Sequence, residues 1–258
     1  MTLADFSLHF GEKYTILFPF EKGMVHVMEH LRPLFERYDR IVIFDTETTG
    51  LRFSKDEIIQ FSAVSVACAQ GRVEVAQEYD RLLLLAPGKQ VPPEITRLTG
   101  ITTEEIAEHG IPREQACREI GELFSGNTLL AAYNAHFDLS FLYHLLAAYG
   151  DTECLRGKDK LDLLTVYRDR RDYPHRLCNA IEAYELQDKV CNSHRADQDA
   201  LATVYVMAAM AEERDDLLNY VNLFGYIPKF GAPRPQIRSV TYRPQPYHSL
   251  GPLYENIG

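Results

Sequence analysis

The amino-acid sequence predicts an α/β fold built on a mixed five-stranded sheet with helices on both faces. Three strand-like segments within residues 40–85 follow one another with short connections, and this pattern predicts an antiparallel meander. Between residues 95 and 214, helical and strand-like segments alternate, which is typical of parallel strands joined by right-handed crossovers. The meander is therefore expected to precede the parallel part of the sheet.

The strands are indicated by runs of β-branched and aromatic residues that are bounded by turn residues. Gln70-Gly71 is a hairpin signal after the second run, and Ala86-Pro87-Gly88 ends the third. The five strands are predicted at residues 40–45, 58–68, 74–85, 129–133 and 160–165.

The helices are indicated by apolar residues that recur at a spacing of three or four. Thr102 is a candidate N-cap for one helix, and Gly150 is expected to end another at residues 139–149. Asp138 precedes that helix and is a candidate N-cap for it. The other helices are predicted at residues 95–99, 114–124, 177–184 and 196–214.

Two segments flank the central domain predicted at residues 39–221. Residues 1–38 are interpreted as an extension that packs on the core, with a short strand at 14–20 and a helical pattern at 24–38 that Pro33 interrupts. Residues 222–258 form a tail rich in proline and tyrosine, with four basic residues and one acidic residue after position 225. The tail is either an ordered strap or a flexible arm, and the strap is favoured because its aromatic side chains need burial.

Composition limits the possible classes of protein. The 258 residues contain no apolar run as long as a membrane span, and no signal peptide is expected. The five cysteines are scattered without a C-x-x-C pair, which favours a reducing cytoplasm over disulfides or a zinc site. A net charge of −10 argues against broad binding to duplex DNA and suits a short single-stranded end or delivery by a partner.

Two carboxylates stand at the end of the first strand. Asp45 and Glu47 follow the apolar run 41–44, and side chains two apart on a strand point to the same side. Their repulsion on an apolar sheet is costly, and a divalent cation would convert it into binding. The alternative interpretation is a solvated strand end that runs into the turn at Gly50.

Further candidate ligands follow later apolar runs. Asp138 closes the segment Asn134-Ala135-His136-Phe137-Asp138, and the segment from His194 to Asp199 leads into a long helical pattern. Four carboxylates and one histidine are what a two-metal phosphodiester hydrolase requires, because such metals prefer oxygen ligands. The alternative for Asp199 is a solvated helical position, and for His194 a capping or surface histidine.

These three segments resemble the three motifs of the DEDDh family of 3′→5′ exonucleases. Within that family they resemble the proofreading epsilon subunit of bacterial DNA polymerase III and the exonuclease domain of PolC-type polymerases. Asp45-Thr46-Glu47-Thr48-Thr49-Gly50-Leu51 resembles the first motif, Asn134–Asp138 the second and His194–Asp199 the third. Residues 95–102 resemble the loop after the third strand. The resemblance implies a ribonuclease H-like fold in which the first strand is central.

The resemblance also implies roles for the site residues. Asp45 would bridge two Mg²⁺ or Mn²⁺ ions, and Glu47, Asp138 and Asp199 would complete their ligands. His194 would act as the general base, since histidine titrates near neutral pH.

Candidate substrate-binding residues follow from the same motifs. Thr46 and Thr48 would contact the 3′-terminal nucleotide, and Asn134 lies near the site. Leu51 would wedge between the last two bases or be an ordinary core leucine. His136 would contact a phosphate or be a structural histidine.

Three further features of the sequence bear on the site. Asp197 is predicted at the surface, because on a helix it is rotated about 200° from Asp199. Asp162 is either close to the site or a helix cap. Arg168, Arg170, Arg171, His175 and Arg176 form a basic patch that would track a single strand or be balanced by neighbouring acids.

The expected activity is hydrolysis of single-stranded or frayed DNA 3′ ends to nucleoside 5′-monophosphates, in proofreading or repair, with a DNA polymerase or repair partner and no membrane partner. An exoribonuclease of the same fold is the nearest alternative. An inactive nucleic-acid or polymerase-binding module is a third, and the presence of all five site residues argues against it.

Overall fold

A computed structural model of the chain describes residues 28–247 and 251–255. The strand expected at 14–20 and the start of the helical pattern at 24–38 lie outside these residues. Among the described residues, no helix is both long enough and apolar enough to cross a membrane.

The central sheet is mixed, as predicted. Its strands lie in the order β3-β2-β1-β4-β5, so the first strand is central. Strand β2 pairs antiparallel with β1 and β3, whereas β4 pairs parallel with β1 and β5. The strands are β1 (Arg40–Thr48), β2 (Ile58–Ala69), β3 (Arg72–Leu82), β4 (Thr128–Ala132) and β5 (Asp159–Asp162).

Helices cover both faces of the sheet. Because side chains alternate along β1, Ile41 and Ile43 join one buried cluster together with residues of the last long helix, while Val42 and Phe44 join the other. Within the described ranges the α-helices are α1 (Pro93–Thr99), α2 (Thr103–His109), α3 (Arg113–Leu123), α4 (Ala135–Tyr149), α5 (Leu163–Arg168), α6 (Leu177–Ala183) and α7 (Ala196–Glu213).

The carboxyl end of β1 extends beyond its pairing with the neighbouring strand β4. Strand β1 pairs with β4 only from Arg40 to Ile43, whereas its pairing with β2 continues to Thr48. The segment that carries Asp45 and Glu47 is therefore paired on one side only. This leaves space beside it for the start of α4 and for the side chains that α4 carries.

Several predicted boundaries were wrong by three or four residues. Strand β1 continues to Thr48 rather than ending at residue 45, and β3 ends at Leu82 rather than at residue 85. Helix α4 begins at Ala135 rather than at residue 139, because Asn134 adopts a left-handed conformation (φ 69°) and turns the chain directly into the helix. Asp138 therefore lies within the first turn and is not the N-cap. Strand β5 ends at Asp162, whose carboxylate accepts hydrogen bonds from Leu164 N (3.3 Å) and Thr165 Oγ1 (2.6 Å) and starts α5.

The described part of the tail is ordered against the core. Strands β6 (Leu223–Tyr226) and β7 (Thr241–Pro244) form a separate parallel pair. The amide of buried Gln245 donates to Thr165 O (2.8 Å) and to Asp169 Oδ1 (2.6 Å), which fastens the tail to α5. These contacts favour the strap over the flexible arm.

The described part of the N-terminal segment also packs on the core. Met28, Leu31 and Leu34 are buried with the residues of α7 and β1. The turn at Glu29–Glu36 is a 3-10 helix that contains Pro33, which lacks the amide hydrogen that an α-helix interior uses. The division of the chain at residues 38/39 and 221/222 stays a prediction.

Candidate active site

Three carboxylates meet at the end of β1. Asp45 and Glu47 lie two residues apart on the strand, on the face that α7 covers, and Asp199 comes from the first turn of α7. One carboxylate oxygen of each residue lies within 4.8 Å of the other two. The structure thus brings together three of the four predicted metal ligands with a spacing that one divalent cation could bridge.

The fourth predicted ligand, Asp138, approaches β1 from the other face. The alternation of β1 turns Thr46 toward α4, where Asp138 Oδ1 accepts hydrogen bonds from Thr46 N (3.1 Å) and Thr46 Oγ1 (2.6 Å). Asp138 is buried and lies close enough for its charge to raise the pKa of Asp45 and Glu47. It is a neighbour of the three-carboxylate cluster rather than one of its members.

Asp199 is held in place by the loop that precedes α7. Its Oδ2 accepts a hydrogen bond from Asn192 Nδ2 (2.5 Å), and its Oδ1 accepts one from Ser193 N (3.1 Å). These two bonds fix the carboxylate toward the sheet, so its position depends on the conformation of residues 192–195.

The carboxylates of the site have raised pKa values. Burial, with the nearby charges of Asp199 and Asp138, raises the pKa of Glu47 to about 8. Burial raises the pKa of Asp138 to about 7, against the opposing effect of the bonds from Thr46. Burial and three carboxylate neighbours raise the pKa of Asp45 well above its ordinary range, and burial raises that of Asp199. A divalent cation would reverse these shifts, because it favours the ionised form of every ligand.

The donor set fits a hard cation. All three atoms of the cluster are carboxylate oxygens, which Mg²⁺ and Mn²⁺ prefer over the sulfur and nitrogen ligands of zinc sites. The buried and mutually repelling carboxylates are otherwise unfavourable. The site therefore has the composition and spacing of a divalent-cation centre.

The predicted general base lies at the rim. His194 is exposed, has a left-handed backbone (φ 55°) and stands two residues before α7. It is not part of the three-carboxylate cluster, although a charge on it lowers the pKa of Asp199.

Gln60 is a site residue that the sequence reasoning missed. It lies opposite Glu47 in the β1–β2 register and is fully buried. Its Oε1 accepts a hydrogen bond from Ala196 N (3.1 Å), and its Nε2 donates to Asp80 Oδ1 (2.8 Å) and Asp197 Oδ1 (3.4 Å). The signal was a long polar side chain within a strand whose other residues are apolar except for two serines.

The prediction that Asp197 lies at the surface was wrong, and Gln60 is again involved. Asp197 is half-buried and bonded to Gln60, because the first turn of α7 leans on the edge of β2. Asp197 does point away from Asp199 around the helix, but that direction leads to Gln60 of the neighbouring strand rather than to solvent.

The sequence pattern of a known family matches this region. The pattern of the family RNase_T, described as exonuclease, matches residues 42–207, which is more than half of the chain. That range contains all five residues of the three predicted motifs.

The chain belongs to this exonuclease family.

Curated relatives agree with the family. The PolC-type DNA polymerase III of Ureaplasma parvum is 32% identical over 170 residues, which are 66% of this chain and 11% of the polymerase. The DNA polymerase III epsilon subunit of Treponema pallidum is 31% identical over 101 residues, which are 38% of this chain and 42% of that subunit. The chain thus spans about a tenth of the PolC-type relative. The predicted resemblance to both kinds of protein is confirmed.

Solved structures share the fold. Exonuclease I of E. coli, in complex with a dA16 oligonucleotide, superposes with a TM-score of 0.61 at 22% identity, over 70% of this chain and 42% of that one. Exonuclease I of Methylocaldum szegediense has a TM-score of 0.61 at 24% identity over the same shares. The predicted ribonuclease H-like fold is confirmed.

In this exonuclease-family chain, the hydroxyl groups of two predicted substrate-binding residues are already hydrogen-bonded within the protein. The hydroxyl of Thr46 donates to Asp138, and that of Thr48 donates to Gly50 O (2.6 Å). Leu51 is 82% exposed, which excludes the core-leucine interpretation. The contacts of these three residues with a nucleotide stay predictions.

Asn134 and His136 line a cavity beside the site. Asn134 is exposed, and His136 is half-buried with its Nδ1 2.8 Å from Tyr242 Oη. Burial lowers the pKa of His136, so its ring favours the neutral form. This contact with Tyr242 of the tail favours the interpretation of His136 as a structural histidine.

Most of the basic patch stabilises the fold. The fully buried Arg170 side chain pairs with Asp216 (2.5 Å) and Glu213 (3.3 Å), and Arg171 pairs with Glu213 (2.8 Å). His175 is buried, with its Nε2 2.9 Å from Arg171 O. A continuous track along these residues for a single strand was therefore a wrong interpretation.

Proposed function

We propose that this chain is a two-metal-ion 3′→5′ exonuclease that hydrolyses single-stranded or frayed DNA 3′ ends to nucleoside 5′-monophosphates. The observation that carries the proposal is the meeting of Asp45, Glu47 and Asp199 within 4.8 Å, with Asp138 beside them, in an exonuclease-family chain. A cluster of three carboxylates with a fourth beside it suits the two cations of an in-line phosphoryl displacement.

The carboxylates have distinct parts in this mechanism. Asp45, at the centre of the group, would hold both Mg²⁺ or Mn²⁺ ions, with Glu47 and Asp199 on one side and Asp138 on the other. When bound, the ions would supply charge stabilisation for the attacking and leaving oxygens. Thr46 would orient Asp138, and Asn192 with Ser193 would orient Asp199.

His194 would take the proton from the attacking water. Its exposed position at the rim leaves the ring accessible to solvent, and histidine is suited to proton transfer near neutral pH. His194 lies on the loop before α7, which the bonds from Asn192 and Ser193 to Asp199 partly fix, and this supports its proposed role.

Several observations support DNA as the substrate. The curated relatives are DNA polymerase III proteins, and E. coli Exonuclease I was solved with a DNA oligonucleotide. The exposed Leu51 is available to insert between bases at the 3′ end. We propose a role in proofreading or repair with a DNA polymerase or repair partner. The five free cysteines fit a cytoplasmic location.

The test is degradation of 5′-labelled single-stranded DNA and RNA oligomers of one sequence, with Mg²⁺, with Mn²⁺ and with EDTA. A ladder that shortens from the 3′ end, requires the cation and is faster on DNA is expected. Asp45→Asn should reduce the rate more than 100-fold, since even residues that only support metal ligands contribute about 10–100-fold. Asp215→Asn changes an exposed carboxylate just beyond the far end of α7 and should have the wild-type rate.

Two results would contradict the proposal. Cleavage that persists in EDTA would exclude the metal mechanism. A folded protein that degrades neither oligomer would move the assignment to an inactive binding module, and faster degradation of RNA would favour the exoribonuclease.

A further inference from the structure

A cavity lies where the tail meets the start of α4. Its volume is about 190 Å³, and it is lined by Asn134, His136, Asp162, Arg168, Phe230 and Tyr242, among others. Cavities that enclose drug-sized ligands are about 300–1,000 Å³. This cavity is therefore the size of one ring system rather than of a whole nucleotide.

The tail supplies an aromatic wall for this cavity. Phe230 is 73% exposed, although it is a large apolar side chain, and the ammonium of Lys229 lies 5.7 Å from the centre of its ring. An exposed aromatic ring beside a cation is the arrangement on which single-stranded nucleic acids stack their bases. Burial in the core does not explain this residue.

Charge favours a polyanion at this wall. The tail segment 228–239 contains Lys229, Arg234 and Arg238 and no acidic residue, within a chain whose net charge is −10. All three basic residues are exposed. They can follow a phosphate backbone outside the cavity.

The floor of the cavity favours a base over a phosphate. Asp162 lies there and accepts hydrogen bonds, so its carboxylate would repel a phosphate. Arg168 lines the cavity, and its Nη1 donates a long bond (3.3 Å) to Gly225 O. A neutral base with acceptor atoms on its edge would find donors in this guanidinium group.

The position of the cavity indicates which base it takes. Asn134 stands four residues before Asp138, about 6 Å along the helix axis. The loop that carries Leu51 packs farther along α4, where Phe53 stacks on His144 with ring centres 4.8 Å apart. The cavity and the Phe53 contact thus lie on opposite sides of Asp138 along α4. Because Leu51, two residues before Phe53, would act at the last two bases, the cavity is left for a base farther upstream.

We propose that this cavity is a subsite for a base of the single strand upstream of the scissile end, stacked on Phe230 and recognised through Arg168 and Asn134. This inference rests on the proposed exonuclease function and deepens it. The tail lies beyond residue 207, where the family match ends, so the subsite would be a feature of this chain rather than of the exonuclease core.

The test compares kcat/KM for a 12-nucleotide oligodeoxythymidylate with kcat/KM for the dinucleotide. Because stacking of one base contributes about 1–3 kcal/mol, Phe230→Ala should reduce the preference for the long substrate about tenfold. Phe230→Trp keeps the stacking surface and should retain the preference. Leu98→Ala removes another exposed apolar side chain, 50% exposed and outside the cavity, and is the matched control.

The outcomes separate the subsite from the function. Equal loss on both substrates in Phe230→Ala, or an unchanged preference, would overturn the subsite while leaving the exonuclease intact. If the wild type cleaves neither substrate, the proposed exonuclease function is contradicted. The subsite is then tested by the affinity for the labelled 12-mer, measured by fluorescence anisotropy in EDTA. In that assay Phe230→Ala should weaken binding about tenfold relative to wild type and Phe230→Trp, and equal affinities would overturn it.

Discussion

Thr46 donates two hydrogen bonds to a single oxygen of Asp138, one from its backbone N (3.1 Å) and one from its hydroxyl (2.6 Å). Thr46 lies between Asp45 and Glu47, and its side chain points to the opposite face of β1. One strand therefore presents two carboxylates to α7 and positions a third carboxylate on α4.

Replacing Thr46 by valine should move the pH dependence of activity. The hydroxyl of Thr46 holds down the pKa of Asp138, which burial raises to about 7, so its loss should raise that pKa further. We expect activity at pH 7 to fall about 10–100-fold and to recover partly at higher pH. A pH–rate profile measures this, with Thr46→Ser as the control that keeps the donor. Identical profiles for the two variants would contradict the prediction.

The metal-free protein should lose stability as the pH rises. Glu47 and Asp138 have raised pKa values of about 8 and about 7, so the folded protein binds more protons than the unfolded chain between their ordinary values and these. The stabilisation that these two protonated carboxyl groups give to the folded state is fully present below about pH 4. It is lost as the pH rises through 7 and 8. Thermal unfolding in EDTA from pH 5 to pH 9 measures the decline.

A bound cation should oppose that decline. It favours the ionised carboxylates, so the increase in melting temperature on adding Mn²⁺ should be larger at pH 8 than at pH 6. Asp45→Asn should reduce this increase, whereas Asp215→Asn should not. An increase that is independent of pH would show that these carboxylates do not bind the ion.

Replacing Gln60 by alanine should weaken both the fold and the metal site. Gln60 anchors the first turn of α7 through Ala196 N, and its loss leaves buried polar groups without partners, at a cost of about 1–3 kcal/mol in the free energy of unfolding. We expect the affinity for Mn²⁺ to fall about 10–100-fold, because Asp199 lies on the same turn. Urea unfolding and calorimetric titration measure the two effects.

Ser65→Ala is the control on the same strand. Ser65 is buried, and its hydroxyl has no hydrogen-bond partner in the described part of the chain, so its removal should affect neither measurement greatly. If Gln60→Ala lost stability but bound Mn²⁺ normally, Gln60 would be structural only.

Replacing Leu51 by alanine should affect activity without affecting stability. The side chain is 82% exposed, and such surface changes usually alter the free energy of unfolding by less than about 0.5 kcal/mol. If Leu51 wedges between the last bases, degradation from a paired 3′ end should slow severalfold more than degradation of a free single strand. Leu98→Ala, at 50% exposure, is the matched control. Equal slowing on both substrates would exclude the wedge.

Local patterns in the sequence were sufficient to predict the sheet and the shared orientation of Asp45 and Glu47. A strand repeats every two residues whatever surrounds it, so Asp45 and Glu47 had to share a face once the apolar run before them was a strand. The short connections of the meander restricted the pairing of β1, β2 and β3 in the same way.

The residues at which the helices near the site begin were less predictable, because they depend partly on contacts between distant residues. Asn134 accepts a left-handed conformation that lets α4 start early, and the Asp162 carboxylate both caps α5 and accepts a hydrogen bond from Ala135 N (3.0 Å). The cap is local and was one of the two interpretations of Asp162, whereas the bond from Ala135 joins segments 27 residues apart, which local propensities do not indicate.

By itself, therefore, the sequence determined the α/β architecture, the family and the residues that gather at the end of β1, because strand periodicity and short-range motifs are local properties. Only the tertiary structure decided that Asp138 comes from the opposite face of β1, that Gln60 anchors α7, and that the tail builds a cavity beside α4. Each of these depends on which side chains meet across separate elements, and the spacing of residues along the chain does not record that.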